Sequence, residues 1–118
     1  MKVRRGEVAI VDFQFSDGTG SKNRPTVVVQ CDGDNDRLGS VVVAMITKRT
    51  QLVGREPRHV LIDIGTPDAA DSGLSYNSVV NCSQLATVEL SRISRVVGHL
   101  SEPLMGRISE SLKQCLGL

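Results

Sequence analysis

Two short stretches of the sequence carry side chains that together would bind a phosphate group. Arg24 opens an apolar run that ends at Gln30, and Thr47 follows a second apolar run that begins at Val41. A guanidinium offers a planar set of donors that matches phosphate oxygens, and a threonine hydroxyl adds one more hydrogen bond. If the two runs form neighbouring antiparallel strands, Arg24 and Thr47 lie at the same edge of a sheet. The sequence therefore indicates an anion site, although such residues also occur on ordinary protein surfaces.

Three further cations, Lys22, Lys48 and Arg49, flank this pair in the sequence. Each of them would extend the positive field of the site and contact a neighbouring phosphate of a polyanion. They are equally consistent with solvated charges in exposed loops. We therefore treat them as candidate contacts for a nucleic-acid backbone.

The sequence predicts neither a metal site nor a cofactor. Its cysteines, Cys31, Cys82 and Cys115, form no Cys-x-x-Cys pair, and we interpret them as reduced, small apolar side chains. Asp32–Asp36 begins like a calcium-binding loop, but its sixth position is not glycine and its twelfth is not glutamate. We interpret that segment as a solvated hairpin turn between two strands.

The overall charge balance excludes a protein that coats nucleic acid without specificity. The chain has 14 basic and 13 acidic side chains, a net charge of +1, whereas such proteins are strongly basic. Aromatic residues make up only 3% of the chain, which argues against a base-stacking platform. A length of 118 residues fits one domain, 1–118. No apolar run reaches membrane-spanning length and no signal-peptide core is present, so we expect a cytoplasmic protein.

The pattern of apolar residues predicts a mainly β protein, a small and strongly bent sheet or barrel with a C-terminal helix. The predicted strands are Glu7–Phe15, Thr26–Cys31, Ser40–Ile46, His59–Ile64, Ser78–Asn81 and Ser94–Leu100. A helical turn is expected within Gln84–Ser91. The terminal helix begins after a capping Ser101, with Pro103 in its first turn, and ends at Gly117. Its apolar stripe, which should pack on the sheet, is Leu104, Ile108, Leu112 and Leu116.

With these elements in place, the chain resembles the MazF/PemK family of bacterial toxins. The likeness covers nearly the whole chain and lies in the order and spacing of several segments, none of which is specific alone. The segments are Arg5–Phe13, Gly18–Lys22 with Arg24-Pro25, Met45–Thr47, Ser78–Val88, and Val97–Leu100 before the terminal helix. The resemblance implies an SH3-like barrel of the PemK/CcdB kind, usually a homodimer.

The same resemblance implies a function. Members of this family are metal-independent, sequence-specific endoribonucleases that cleave single-stranded messenger RNA through its 2′-hydroxyl and leave a 2′,3′-cyclic phosphate. Arg24 and Thr47 match the family's catalytic residues, while Ser78 and Gln84 lie where the family contacts RNA bases. A glutamine amide supplies the donor and the acceptor that base recognition needs. The implied partner is an acidic, MazE-like antitoxin with a disordered tail. No residue is identified as the general base.

The sequence departs from the family pattern at three positions. Ala9 stands where an aromatic residue is usual, Gly20 where an acidic residue is frequent, and Ala86 where arginine is usual. Two alternatives stay open. The same barrel is used by CcdB-like toxins, which bind gyrase and cleave nothing, and the departures at Gly20 and Ala86 leave room for a decayed toxin that only binds its antitoxin. The intact pair of Arg24 and Thr47 favours the enzyme, because a gyrase-binding toxin has no need of that pair.

Overall fold

The computed structural model shows six antiparallel strands and a C-terminal helix, which confirms the mainly β prediction. It describes residues 1–14, 17–52, 54 and 56–118; Phe15, the predicted end of the first strand, lies outside these ranges. The strands are β1 (Glu7–Gln14), β2 (Ser21–Val28), β3 (Ser40–Thr47), β4 (His59–Ile62), β5 (Ser78–Glu89) and β6 (Ile93–His99). The α-helices are α1 (Asp32–Asn35) and α2 (Glu102–Leu116). Short 3-10 turns occupy Thr50–Leu52, Pro67–Ala69 and Leu90–Arg92.

The strands form one sheet in the order β4-β5-β3-β2-β1-β6. Within the described residues, the edge strands β4 and β6 do not pair with each other, so the sheet is open rather than a closed barrel. It is nevertheless strongly curled. The three-residue turn Leu90–Arg92 joins β5 to β6, although β3, β2 and β1 separate those two strands in the sheet. The curl brings the ends of distant strands together.

Each face of the curled sheet has its own apolar core. Alternation along a strand divides the side chains between the two faces, so that Val27 belongs to one core and its neighbour Val28 to the other. The helix α2 covers the first core, where Leu104 and Ile108 pack against the sheet. Among the described residues, the second core contains none from α1 or α2 and includes residues from β1, β2, β3, β5 and β6. Its burial depends on the sheet curling over itself.

The longest strand, β5, corrects one prediction. We expected a strand that ends at Asn81 and a helical turn within Gln84–Ser91, but β5 runs on to Glu89, and only Leu90–Arg92 is helical. Its pairing with β3 shifts register between Ala44 and Met45, which marks a bulge. The bulge carries polar residues that interrupt the apolar pattern of a strand. The predicted strand therefore ended at Asn81, where the pairing between β5 and β3 shifts register but continues.

Two other expectations change near the chain's second strand. β2 begins at Ser21, earlier than predicted, because this segment pairs with β1 while the apolar pattern starts only at Thr26. The segment predicted as a plain hairpin turn contains the one-turn helix α1. Asn35 is buried there, and its amide donates to the carbonyl oxygen of Gln30 at 3.1 Å. This local hydrogen bond favours a helical turn over an open loop.

The terminal helix α2 has the predicted ends. The Ser101 hydroxyl accepts a hydrogen bond from the backbone N–H of Leu104 at 3.4 Å, and Gly117 closes the helix in the left-handed conformation, with φ of 71°. The apolar stripe packs only partly as expected, since Leu116 is 56% exposed. In the described part of the chain, no helix is long and apolar enough to cross a bilayer.

The cysteines also match their prediction only in part. All three have free thiols, but Cys31 and Cys115 are exposed. Only Cys82 packs in a core, where burial raises the pKa of its thiol. Cys82 is therefore the one that behaves as a small apolar side chain.

Candidate functional site

The pairing of β2 with β3 brings the two predicted chemical groups together. Thr26 lies opposite Met45, and the same register continued by two residues would place Arg24 opposite Thr47. A cavity of about 310 Å³ lies where the two strands part. Its lining residues are Lys22, Asn23, Arg24, Pro25, Ile46, Thr47 and Lys48. Arg24 and Thr47 thus line one cavity, together with two further cations.

Pro25 is the reason that a cavity exists at this point of the sheet. Proline has no backbone N–H, so it cannot donate to a neighbouring strand. The ladder between β2 and β3 ends at Thr26, the residue after it, while β2 remains paired with β1 through Pro25 and Arg24. The edge of β2 that faces β1 therefore stays paired at Pro25 and Arg24, whereas the edge that faces β3 is unpaired beside Thr47.

The side chains of the pair are available to a ligand. Arg24 is exposed, and within the described residues its guanidinium makes no hydrogen bond or ion pair. The Thr47 hydroxyl oxygen accepts a hydrogen bond from the backbone N–H of Arg49 at 3.3 Å. That contact orients the hydroxyl and leaves its proton free to be donated. The arrangement offers a fixed charge and a donor to one anion.

A second cavity, of about 220 Å³, adjoins the first and shares Pro25, Thr47 and Lys48 with it. It extends toward β6 and the loop before β5. Its other lining residues are Ile10, Gly73, Leu74, Ser75, Tyr76, Ser78, Arg95 and Val97. A chain that runs through both cavities would pass directly over Thr47.

Of the predicted RNA contacts, the structure gathers some and leaves others apart. Lys22 and Lys48 line the first cavity, and Ser78 lines the second. The Ser78 hydroxyl donates to the carbonyl oxygen of Tyr76 at 2.9 Å, which holds the loop before β5 in place. Arg49 and Gln84 are exposed and line neither cavity, and Gln84 belongs to the bulge of β5. Their contact with RNA stays a prediction.

We call the exposed cations around the first cavity, Lys22, Arg24, Lys48 and Arg49, the cationic rim. Within the described residues, none of these four has a carboxylate within 4.0 Å. Lys48 instead places its Nζ 4.2 Å from the centre of the Tyr76 ring. The rim therefore presents a positive field that is not cancelled locally.

Sequence reasoning missed two residues of the second cavity, Tyr76 and Arg95. Tyr76 is the only tyrosine of the chain and lies in a loop rich in Asp, Gly and Ser. An aromatic residue in so polar a loop is itself a signal, because nothing nearby in the sequence would bury it. Arg95 lies within β6 opposite Ile10, where only the fold shows that it faces this cavity.

The three departures from the family pattern lie outside both cavities. Ala9 is fully buried in the second core, and its carbonyl oxygen accepts a hydrogen bond from the Thr26 hydroxyl at 2.9 Å. Ala86 is half-buried against the same core, and Gly20 is exposed. None of the three removes a side chain from the immediate surroundings of Arg24 and Thr47.

A larger cavity, of about 490 Å³, lies between β4 and α2. Its arginine, Arg107, lies 3.0 Å from a carboxylate oxygen of Asp68, and Glu110 adds a negative charge to the same wall. This cavity therefore lacks the uncancelled positive charge of the cationic rim. Size alone does not identify the site of chemistry.

Comparison with known proteins places these features in one family. Residues 4–116 match the family model described as PemK-like, MazF-like toxin of type II toxin–antitoxin systems. Among similar proteins, Endoribonuclease EndoA of Bacillus subtilis is 32% identical over 121 aligned residues, covering 100% of this chain and 97% of its own. Endoribonuclease MazF9 of Mycobacterium tuberculosis is 29% identical and covers 98% of each chain.

Solved structures show the same fold. An endoribonuclease in complex with its cognate antitoxin, from a mycobacterial species, superposes with a TM-score of 0.77 at 22% identity, covering 98% of this chain and 96% of its own. A MazE–MazF structure from Deinococcus radiodurans reaches a TM-score of 0.78 at 17% identity, covering 100% and 98%. At such identities these likenesses establish the fold.

Proposed function

This chain belongs to the family of PemK-like, MazF-like toxins of type II toxin–antitoxin systems, and we propose that it is an endoribonuclease that cleaves single-stranded RNA without a metal ion. One observation carries the proposal. The unpaired guanidinium of Arg24 and the hydroxyl of Thr47 line the same exposed cavity, between the lysines of the cationic rim. The names of the similar proteins, which are endoribonucleases, support the same reaction.

The proposed reaction uses the 2′-hydroxyl of the RNA as its nucleophile. That oxygen loses its proton and attacks the adjacent phosphorus, and the bond to the 5′-oxygen of the next nucleotide breaks. The leaving 5′-oxygen takes up a proton, so the products are a 2′,3′-cyclic phosphate and a 5′-hydroxyl. Negative charge accumulates on the phosphorane, where Arg24 holds two oxygens through its planar donors. Thr47 donates to a phosphate oxygen or orients the 2′-hydroxyl. The fixed cation does the electrostatic work that a metal ion performs in other nucleases.

The general base stays unassigned. An arginine is a poor base because its pKa lies above about 12. Neither His59 nor His99 lines either cavity around Thr47, and His99 lies 3.8 Å from a carboxylate oxygen of Asp71. The proposal therefore assigns transition-state stabilisation to Arg24 and Thr47, and it assigns proton abstraction to no side chain.

Sequence specificity follows from contacts on either side of the cleaved bond. The two cavities meet at Thr47, so nucleotides before and after the scissile phosphate would meet different walls. Bases of single-stranded RNA are read by stacking and by hydrogen bonds to their edges. Ser78 and the more distant Gln84 are our candidates for such contacts.

The test is incubation of the purified protein with a long RNA in EDTA, followed by mapping of the cut sites and analysis of the new ends. We expect cuts at a recurring short sequence, in single-stranded regions, with 2′,3′-cyclic phosphate and 5′-hydroxyl ends. A reaction that stops in EDTA and returns with a divalent ion would refute the metal-free mechanism. A protein that cuts no RNA under any of these conditions would refute the activity itself.

The proposed partners follow from the cationic rim and the family. An acidic antitoxin with a disordered tail would place carboxylates where the RNA places phosphates, because both are attracted by the same cations. We also propose that the protein works as a homodimer in the cytoplasm, where messenger RNA is found. The check is a competition titration with light scattering. A monomer at tens of micromolar, or antitoxin and RNA bound together without mutual effect, would contradict this arrangement.

A further inference from the structure

The second cavity contains an exposed aromatic ring that the proposed reaction does not use. Tyr76 is 60% exposed, yet the chain is held at its carbonyl group and at the residue that follows it. Its carbonyl oxygen accepts from the Ser78 hydroxyl at 2.9 Å, and the side chain of the next residue, Asn77, accepts from the backbone N–H of Ile64 at 2.9 Å. The ring therefore stands on an anchored backbone without being packed into a core.

The loop that carries this ring lies directly against β6. Gly73 has φ of +74°, and a Cβ there would approach the carbonyl oxygen of Val97 to 2.2 Å. A Cβ at Gly98 would approach the carbonyl oxygen of Asp71 equally closely, at 2.2 Å. The backbone N–H of His99 donates to that same oxygen at 2.8 Å. The close approach of two backbones fixes the wall of the cavity and, with it, the position of Tyr76.

The chemistry of this cavity suits a flat, partly apolar ligand. Ile10, Pro25, Leu74 and Val97 supply apolar lining, and the Tyr76 ring supplies an aromatic face. Arg95 adds a guanidinium which, within the described residues, has no hydrogen bond or ion pair of its own. Apolar walls, an aromatic face and a free multiple donor are together what a nucleobase requires.

We propose that this cavity is a nucleobase subsite, in which Tyr76 stacks on the base of a nucleotide next to the scissile phosphate and Arg95 donates to the edge of that base. The proposal rests on the proposed function, since it concerns the same RNA. It assigns specificity to two residues that do not touch the reacting phosphorus.

In the proposed subsite without RNA, Lys48 occupies the face of the Tyr76 ring. The Lys48 ammonium lies over the ring at 4.2 Å from its centre, and both residues line the cavity that also contains Thr47. A phosphate at Thr47 attracts an ammonium more strongly than an aromatic face does, because the phosphate carries a full charge. When RNA binds, Lys48 therefore moves to the phosphate and the ring face becomes free for the base.

The test is a double-mutant cycle between protein and RNA. The ligand is an oligonucleotide that contains a cleavage site of the parent protein and carries a 2′-deoxy sugar at the attacking nucleotide, so that it binds without being cut. Its affinity is measured for the full-length parent, Tyr76→Ala and Tyr76→Phe. The same measurements are repeated with abasic RNA, in which one base beside the scissile phosphate is missing. Leu38→Ala, which removes an exposed apolar side chain outside both cavities, is the matched control.

We expect Tyr76→Ala to bind intact RNA roughly tenfold or more weakly, and Tyr76→Phe and Leu38→Ala to bind within about twofold of the parent. One of the two abasic RNAs should weaken the parent by a similar factor and weaken Tyr76→Ala no further. Arg95→Gln should change the base preferred at that position alone.

Equal affinities of parent and Tyr76→Ala, or losses from the mutation and the missing base that multiply, would overturn the stacking role. Unchanged base preference in Arg95→Gln would overturn the role of the guanidinium. If the parent cuts long RNA and any of these contradicting results is obtained, the proposed subsite is wrong but the proposed nuclease activity is not. If the parent neither cuts nor binds RNA, both proposals fall. The abasic arm changes only the RNA, so equal affinity of the parent for intact RNA and for both abasic RNAs would overturn the base subsite even if a variant folds poorly.

Discussion

Two groups of cations in this molecule differ in their surroundings, because carboxylates neutralise one group and not the other. In the first group, near the N-terminus, Arg4 lies 3.2 Å from a carboxylate oxygen of Asp32 and 3.1 Å from one of Asp36. The second group is the cationic rim around Arg24 and Thr47, where the described residues provide no carboxylate within 4.0 Å. The residue types are the same, but only the second group has charge to offer a ligand.

This difference shows that pairing, and not the number of cations, distinguishes the two surfaces. A guanidinium that already contacts a carboxylate has fewer free donors and a weaker outward field. The net charge of +1 hides the distinction, since it adds both groups together. The N-terminal cations stabilise the fold locally, and the rim is free for phosphates.

The largest expected effect comes from removing the central cation of the rim. Arg24→Ala should lower kcat for RNA cleavage by about 10²–10³, because the phosphorane loses a fixed cationic donor. Arg24→Lys should also be poor, since one ammonium cannot replace the planar set of donors. Rates are measured by single-turnover cleavage of a labelled RNA, with folding checked by circular dichroism.

Arg4→Ala serves as the control from the paired group and should cut at the parent rate. If Arg24→Ala instead cleaves within about threefold of the parent, the loss is under 1 kcal/mol and the catalytic assignment is wrong.

A smaller effect is expected from the outer cations of the rim. Lys22→Ala and Arg49→Ala should each weaken RNA binding by roughly 3- to 10-fold and lower the salt dependence, by about 0.7 in the slope of log K against log salt for each lost phosphate contact. Arg37→Ala, whose guanidinium lies 2.8 Å from a carboxylate oxygen of Asp34, should change neither quantity. Binding titrations at several salt concentrations check both values. Equal slopes for all three variants would erase the distinction between the two groups.

The smallest expected effect is a change in the stability of the fold, and it comes from the N-terminal group of cations that contact carboxylates. The backbone N–H of Arg5 donates to Asp32 at 2.7 Å and, with the Asn35 amide, holds the pKa of that carboxyl below its usual value. The stability that this carboxylate adds is present above its unfolded pKa, near 3.8, and is lost as the pH falls through the lower folded value.

Asp32→Asn should therefore lower Tm by a few degrees at pH 7 and by less near pH 3, with RNA cleavage unchanged at neutral pH. Thermal unfolding across this pH range measures the difference. A Tm difference that grows on acidification would have the wrong sign for this account.

Much of the fold could be predicted from the sequence because its signals are local. The capping serine, the first-turn proline and the closing glycine fixed the ends of α2, and β-branched runs located the strands. The bulge in β5 could not be predicted, since polar residues there break the alternation while the strand continues through pairing with β3. The predicted burial of Leu116 was also wrong, because helical spacing does not show how far the sheet extends beneath the helix.

The site divides in the same way. That Arg24 and Thr47 line one cavity could be predicted from their positions at the ends of apolar runs, because antiparallel pairing brings such ends together. That Tyr76 and Arg95 line the adjoining cavity could not, since it depends on a loop that folds against β6 at distant glycines. The proximity of residues on neighbouring strands can be predicted from the sequence, whereas the proximity of residues brought together by loop packing cannot.

The most direct test of the central claim is to give the rim the carboxylate that it lacks. Asn23 lines the first cavity beside Arg24, and its side-chain oxygen accepts from the Ser94 hydroxyl at 3.1 Å, a role that an aspartate retains. We expect Asn23→Asp to cleave RNA at least about tenfold more slowly than the parent at low salt, because the new negative charge weakens the positive field of the rim and repels phosphate. The neutral control Asn23→Ala should stay within about threefold. An Asn23→Asp protein that cleaves at the parent rate would contradict the claim that unpaired charge makes this rim the site of chemistry.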